Sequence, residues 1–194
     1  YKDLTGTILR GMDLSDKNLT GTILRGADLT DANLTGVSLI DKDLTGANLT
    51  RVDLSGKDLT NSILTYANLD NADLSNANLS NAGFLAVDLT KIKNKSLVGT
   101  NIISASFSGS NLSGVNLSGT TMEVTNFLET NLTGVDFTAV KNMNFGNIFA
   151  YANLTNSNFE GIDLSPILVF TDTFQDEADL RNLSQIEIIE ALFG

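Results

Sequence analysis

The side chains in this sequence that could perform chemistry are carboxylates. Asp41 lies two residues before Asp43, and Asp176 directly precedes Glu177. Such pairs can act as general acid and base when a cleft shifts the pKa of one partner, and converging oxygens can bind Ca²⁺. The chain has no His and no Cys, so the imidazole and thiolate groups of most catalytic and zinc sites are missing.

No catalytic motif accompanies these carboxylates. The sequence contains no G-x-S-x-G turn, no phosphate-binding glycine loop and no EF-hand-like series of ligands. The acids occupy positions that are typical of solvated or turn-bonding side chains. We therefore predict that the protein is not an enzyme and uses no cofactor and no metal ion.

The net charge narrows the possible partners. The 194 residues include 12 Lys and Arg against 23 Asp and Glu, which gives a formal net charge of −11. Binding to phosphates or to anionic lipid needs clustered cations, so direct contact with nucleic acid or a charged membrane is disfavoured. No stretch approaches the roughly 18 apolar residues of a membrane span, which predicts no membrane insertion and favours a soluble, cytoplasmic protein.

The elements that carry the acids follow a five-residue repeat. Ala67-Asn68-Leu69 and Ala72-Asp73-Leu74 restate one unit of a small, a polar and a large residue. A period of five is neither that of a strand nor that of a helix, so each unit must point two side chains inward and turn once. The large residue recurs at Leu4, Leu9, Leu14, Leu19, Leu24, Leu29, Leu34, Leu39, Leu44, Leu49, Leu54, Leu59, Leu64, Leu69, Leu74, Leu79, Phe84 and Leu89.

The residues two positions after each large one are suited to a turn. They are mostly Gly or Asn, for example Gly6, Gly46 and Asn71. Both residue types tolerate a positive φ, which a type II turn requires at its third position. The repeat therefore predicts a short extended segment and a corner in every unit.

These features resemble the pentapeptide-repeat family, whose consensus is A(D/N)LXX, and the resemblance covers most of the chain. It implies an all-β solenoid: a right-handed quadrilateral parallel β-helix with four units, hence about twenty residues, per coil. About eight coils would be stacked through parallel backbone hydrogen bonds. The β-helix is expected to span residues 1–183, with register breaks near 90–96 and 138–151 and an irregular part at 165–177.

Four lysines depart from the family consensus, because they stand at the small, inward position of their units. They are Lys2, Lys17, Lys42 and Lys57. A buried, unpaired ammonium group is costly. We expect the aliphatic stems to lie along the wall and the charged heads to reach solvent or an Asp.

The C-terminal segment, residues 184–194, has a different pattern. Ser184 and Glu187 form a capping box, and apolar residues follow at helical spacing. We predict a short α-helix that caps the open end of the core and that could also pair two rods into a homodimer. The residues expected to make these contacts are Ile186, Ile188, Ile189, Leu192 and Phe193.

The remaining function class is protein interaction. One hypothesis is a non-catalytic scaffold with a rigid acidic surface that binds an unknown protein. The alternative, implied by the family resemblance, is a DNA mimic that binds DNA gyrase or topoisomerase IV, both type II topoisomerases, and inhibits or protects it. The candidate contacts are the basic register break and two outward apolar residues, namely Lys91, Lys93, Lys95, Tyr66 and Leu85, with Ile40 as a further outward apolar residue.

Overall fold

The structure is a computed structural model, and it describes residues 2–143 and 146–163. The irregular part expected at 165–177 and the capping helix expected at 184–194 lie outside the described residues. In the described ranges the chain forms one continuous stack of coils. Its regular elements there are two 3₁₀ helices, Leu89–Lys91 and Lys93–Lys95, and a series of single-residue parallel β-bridges.

The bridges show how the units are stacked. In the first half they join residues 20 positions apart, from Asp3 and Ile23 to Ile63 and Gly83. Because a unit has five residues, one coil holds four units and has four walls. We number the coils 1 to 8 by the central residues of wall 1, which are Leu4, Leu24, Leu44, Leu64, Phe84, Phe107, Phe127 and Phe149; walls 2, 3 and 4 begin at Leu9, Leu14 and Leu19.

Each unit ends in the corner that the sequence predicts. The carbonyl of the large residue accepts the N–H three positions later, as Leu4 does from Thr7 at 3.1 Å. The second residue after the large one has a positive φ, for example +64° at Gly6. The polar residue before the large one closes a second turn, since Asn33 Oδ1 accepts the Thr35 N–H at 3.0 Å.

The core is formed by the two inward positions of each unit. The large central residues are almost all fully buried, and the small residues line the wall between them. On wall 1, Phe84, Phe107, Phe127 and Phe149 form a column of stacked rings with centroids 5.0, 5.5 and 5.1 Å apart. The first four coils place Leu in the same column, so the upper half of the core is aromatic there.

The first register break lies between walls 2 and 3. Across it the bridge spacing rises from 20 to 23 residues, and the additional chain forms the 3₁₀ helices Leu89–Lys91 and Lys93–Lys95. The Lys93 N–H donates to the Ala72 carbonyl of the coil below at 2.9 Å, whereas the Lys95 carbonyl accepts from the coil above at 2.8 Å. The segment therefore uses Lys93 to bond to the coil below and Lys95 to bond to the coil above. Its additional residues protrude at the corner.

The second register break lies between walls 4 and 1. The bridge spacing becomes 22 residues, from Asn126 to Ile148. Met143, just before the gap in the described residues, is buried, and Phe149 continues the aromatic column beyond it. The two breaks together add five residues, which is the length of one unit.

Two of the four inward lysines, Lys42 and Lys57, bind main-chain carbonyls, whereas Lys2 and Lys17 are exposed. Lys42 is only 6% exposed, and its Nζ donates to the Leu19 carbonyl at 2.5 Å, while Lys57 Nζ donates to the Leu34 carbonyl at 2.6 Å. The expectation of a solvated or Asp-paired head is therefore wrong for Lys42. The physical reason is that a corner carbonyl of the coil below faces this position. In coil 7, the hydroxyl of Thr125 bonds to the corresponding carbonyl at 2.9 Å.

Candidate interaction surface

Wall 1 differs from the other walls in charge. From coil 4 upward its outward positions carry one charged residue, Glu129. We define upper wall 1 as the outward residues of wall 1 in coils 4 to 8, together with the corners on both edges. Burying charged side chains costs free energy. A partner can cover upper wall 1 with little of this cost, because the surface has few charges. In the same coils the described residues of the other walls carry more charges, namely Asp73, Asp136 and Glu160 on wall 3, Asp70, Asp88 and Lys91 on wall 2, and Glu123 and Lys141 on wall 4.

Upper wall 1 also concentrates exposed apolar side chains. Nine large hydrophobic residues are exposed in the described ranges, and five of them belong to this surface. Tyr66 and Leu85 are direct neighbours, because the Tyr66 N–H donates to the Leu85 carbonyl at 3.0 Å. Scattered exposed apolar residues are normal, but a grouped set on one face marks an interaction site. The five residues are Ile63, Tyr66, Leu85, Val124 and Tyr151.

Three of these side chains stand at corners whose backbone is left-handed. The φ angles are +58° at Tyr66, +54° at Val124 and +56° at Tyr151. This region suits Gly and Asn, whereas a bulky or β-branched residue there is an outlier. Most other corners of the described coils have Gly, Asn or Asp. In the described residues, large apolar side chains occupy left-handed corners only along the two edges of wall 1.

The corner at Val124 has an unusual hydrogen-bond pattern. The Thr125 N–H donates to the side-chain Oδ1 of Asn147 in the coil above at 2.9 Å, instead of closing the usual turn. Asn147 is fully buried, and its Nδ2 has no hydrogen-bond partner among the described residues. A Cβ built on Gly146 would lie 3.1 Å from Val124 Cγ2, so the coil above leaves little room beside this valine.

The interior behind upper wall 1 is rigid. The stacked rings of Phe84, Phe107, Phe127 and Phe149 lie directly beneath its outward residues. Phe137 and Phe159 on wall 3 stack on each other at 4.5 Å, and both rings meet Phe149 edge to face. Close-packed aromatic rings resist deformation, so the surface residues keep a fixed spacing.

Two acids of wall 2, Asp28 and Asp31, are paired with arginines of neighbouring coils. Arg10 Nη2 lies 2.7 Å from Asp28 Oδ2, and Arg51 Nη2 lies 2.5 Å from Asp31 Oδ2. Hydrogen bonds from Thr30 and then from Arg10 lower the pKa of Asp28 to about 2. A hydrogen bond from Arg51 likewise lowers the pKa of Asp31. These carboxylates are ionised at neutral pH, but their charge is locally compensated.

The three candidate lysines lie on another part of the molecule. Lys91, Lys93 and Lys95 are exposed at the corner between walls 2 and 3, so wall 2 separates them from Tyr66 and Leu85. Lys91 Nζ lies 3.6 Å from Asp88, and Lys93 Nζ lies 2.8 Å from Asp73. Burial raises the pKa of Asp73, but hydrogen bonds from Lys93 and a neighbouring serine outweigh this effect and lower it.

The structure brings together only part of the predicted set of contacts. Tyr66 and Leu85 share upper wall 1, whereas Ile40 lies on wall 4. Sequence reasoning missed Ile63, Val124 and Tyr151. The available signal for the last two was a bulky residue at a corner position, where the repeat otherwise has Gly or Asn. The five predicted residues of the C-terminal helix, Ile186, Ile188, Ile189, Leu192 and Phe193, lie outside the described residues.

The described ranges contain no group of three or more His, Cys, Asp or Glu side chains arranged to hold a metal ion. Residues 2–143 and 146–163 also contain no helix that is long and apolar enough to cross a membrane.

The sequence of this chain matches the model of one protein family. The sequence model described as pentapeptide repeats matches eight copies, over residues 3–41, 43–82, 90–119 and 100–138, which is more than half of the chain. No curated protein matches.

Several solved structures are similar to this chain. HetL, a pentapeptide repeat protein involved in heterocyst differentiation regulation from the cyanobacterium Nostoc sp. strain PCC 7120, is 26% identical, with 82% of this chain and 75% of that chain covered and a TM-score of 0.43. Rfr23 from the cyanobacterium Cyanothece 51142 is 26% identical, with 60% and 82% covered and a TM-score of 0.39. Full-length QnrB1, a plasmid-mediated fluoroquinolone resistance protein, is 20% identical, with 99% and 85% covered and a TM-score of 0.35.

Proposed function

The chain belongs to the pentapeptide repeat family, and from this premise we propose that it is a non-catalytic scaffold that binds a partner protein through upper wall 1. The observation that carries the proposal is the coincidence, on one wall of an acidic rod, of low charge and exposed apolar side chains. The cores of protein interfaces are depleted in charged residues and enriched in tyrosine. Upper wall 1 has this composition.

The rigid solenoid suits such a role. A surface held by stacked coils and an aromatic column loses little conformational freedom when a partner binds, so less binding free energy is lost to ordering. The carboxylates of the other walls are solvated or bonded to turn N–H groups and cations, as at Asp28 and Asp31. Carboxylates that are solvated or already bonded in this way keep the protein in solution, and they are not free to act as catalytic acids or bases.

Site-specific photo-crosslinking in the native cells tests the proposal. The photoreactive residue p-benzoylphenylalanine replaces Leu85 or Leu128 on wall 1, and as a matched control it replaces Ser55 or Ser118 at the same unit position on wall 3. We expect a crosslinked protein from the wall 1 positions and none from the wall 3 positions. Equal crosslinking from both walls, or none from wall 1, would contradict a binding surface on upper wall 1.

A second candidate function is occupation of the DNA-binding groove of a type II topoisomerase, either DNA gyrase or topoisomerase IV. The observation that favours it is the net charge of −11, since an acidic rod can enter a basic groove. The described ranges contain 17 acidic and 11 basic residues. Five of these cations lie within 4 Å of an Asp, which weakens the negative field of the rod.

A supercoiling assay separates the two candidates. If the protein mimics DNA, micromolar concentrations should inhibit supercoiling by gyrase or decatenation by topoisomerase IV, or relieve the inhibition of these enzymes by a quinolone. The effect should weaken at high salt, because the contact would be electrostatic. No change in either activity at saturating protein would eliminate this candidate and leave the scaffold.

A further inference from the structure

We propose that Tyr66, Val124 and Tyr151 are the anchor residues of upper wall 1, and that the partner is a different protein with a concave, mainly apolar cleft that encloses the wall from both edges. This inference rests on the proposed function and specifies the kind of partner and the residues that it recognises. It is based on the backbone conformation, exposure and position of the three side chains.

The first step is that these residues do not suit their own backbone. A non-glycine residue in the left-handed region is strained, and the strain is greatest for bulky and β-branched side chains. The same corner columns contain Gly46 and Gly109 on one edge and Asn81 on the other, which adopt this conformation easily. Local sequence preference is therefore violated at all three positions.

The second step is that packing within the chain does not account for the violation. Tyr66 is 64% exposed, Val124 is 50% exposed and Tyr151 is 56% exposed. At least half of the surface of each residue is therefore open to solvent and is not packed in the core. Sites where a sequence breaks a local rule without a gain in packing are expected to be functional.

The third step is the position of the anchors. Tyr66 and Tyr151 stand on the corner between walls 1 and 2, four coils apart, which is about 19 Å at the usual spacing of stacked strands. Val124 stands on the opposite edge of wall 1, where wall 4 of coil 6 leads into coil 7. Between the two tyrosines the corner has Ala86, Gly109 and Glu129, none of them aromatic, so each ring projects on its own and can enter a separate pocket.

The fourth step is the area of the wall, which decides between a cleft and a second copy of this chain. The five coils of upper wall 1 span about 24 Å and three outward residues span about 10 Å, so the flat part of this surface has an area of about 240 Å². A stable interface buries about 800 Å² on each partner. Two copies placed wall against wall would bury too little, whereas a cleft that encloses both edges also covers the projecting anchors.

Thermal stability tests whether the anchors serve the fold. Replacing Tyr66, Val124 and Tyr151 with Asn, alone and together, should leave the Tm unchanged or raise it by about 2 to 4 °C per substitution, because Asn tolerates positive φ. The matched control is Asn71→Tyr, a left-handed corner at the far edge of wall 2, which should lower the Tm. A lower Tm after Tyr→Asn at the anchors would overturn the inference and assign them a structural role.

Crosslinking tests whether the anchors serve binding. With p-benzoylphenylalanine at Leu85, the triple Asn variant should lose at least nine-tenths of the crosslinked partner, and the double variant Tyr66→Phe with Tyr151→Phe should keep it. Full crosslinking by the triple Asn variant would overturn the anchor inference but leave the proposed function standing. No crosslink in the parent protein would reject the proposed function itself.

Sedimentation velocity identifies self-association. The purified protein should sediment at the same rate from about 5 to 200 μM. A dimer that forms in this range, and that the triple Asn variant abolishes, would overturn the concave partner and assign upper wall 1 to a second copy of the chain.

Discussion

The substitution Phe127→Ala provides the most direct test of the aromatic column. Phe127 is fully buried, and its ring lies 5.5 Å from that of Phe107 and 5.1 Å from that of Phe149. Removing the ring takes away roughly 150 Å² of buried apolar surface. The burial of this surface stabilises the protein by about 4 kcal/mol at about 25 cal/mol/Å². The loss of two ring contacts adds about 1 kcal/mol or more, so we expect a destabilisation of about 4 to 5 kcal/mol.

Urea denaturation followed by far-ultraviolet circular dichroism measures this destabilisation. The matched control is Phe127→Leu, because coils 1 to 4 have Leu in the same column, and its cost should stay near 1.5 kcal/mol or below. The thermal midpoint of Phe127→Ala should fall by about 8 to 20 °C. If both variants lost less than about 1 kcal/mol, the rings would not support the core in the stacked arrangement described.

Two further predictions concern a wall carboxylate and the corners. The pKa of Asp28 is lowered from 3.8 to about 2 by hydrogen bonds from Thr30 and Arg10; its contribution to stability is therefore present above pH 4 and is lost as the pH falls toward 2. Asp28→Asn should make the Tm less dependent on pH between 4 and 2, and equal slopes for both proteins would contradict this. Gly56→Ala adds a Cβ at φ +63° with no described atom within 4 Å, and at Gly36, with φ +71°, the new Cβ would displace only the carboxylate end of the exposed Asp16 side chain. We expect a loss of about 1 kcal/mol for each substitution, from the positive φ, measured by thermal denaturation, and no loss in either variant would refute the strain.

Much of the fold was predictable because a period of five constrains every unit in the same way. The small and large residues, such as Ala72 and Leu74, had to face inward, and Gly or Asn had to occupy the corner. The partner of the buried Lys42 could not be predicted, because the carbonyl that it binds belongs to Leu19, which is distant in sequence. Only the stacking of coils brings that carbonyl to the ammonium group.

The candidate surface was predictable only in part. Tyr66 and Leu85 are outward residues by their place in the repeat, and their proximity follows once a coil has twenty residues. Val124 follows the first register break, of three residues, and Tyr151 follows both breaks, of three and two residues. Counting along the sequence without the exact length of each break assigns them to the wrong wall.

The sequence by itself determined which side chains face the interior and where the chain turns, because these properties are local to one unit of five residues. The tertiary structure decided which outward residues become neighbours, because that depends on the number of residues in each coil. The two breaks add five residues in total, which shifts the later coils by one wall and places Tyr151 on the same corner as Tyr66. The grouping of exposed apolar residues on one charge-poor wall is therefore a property of the stacked coils.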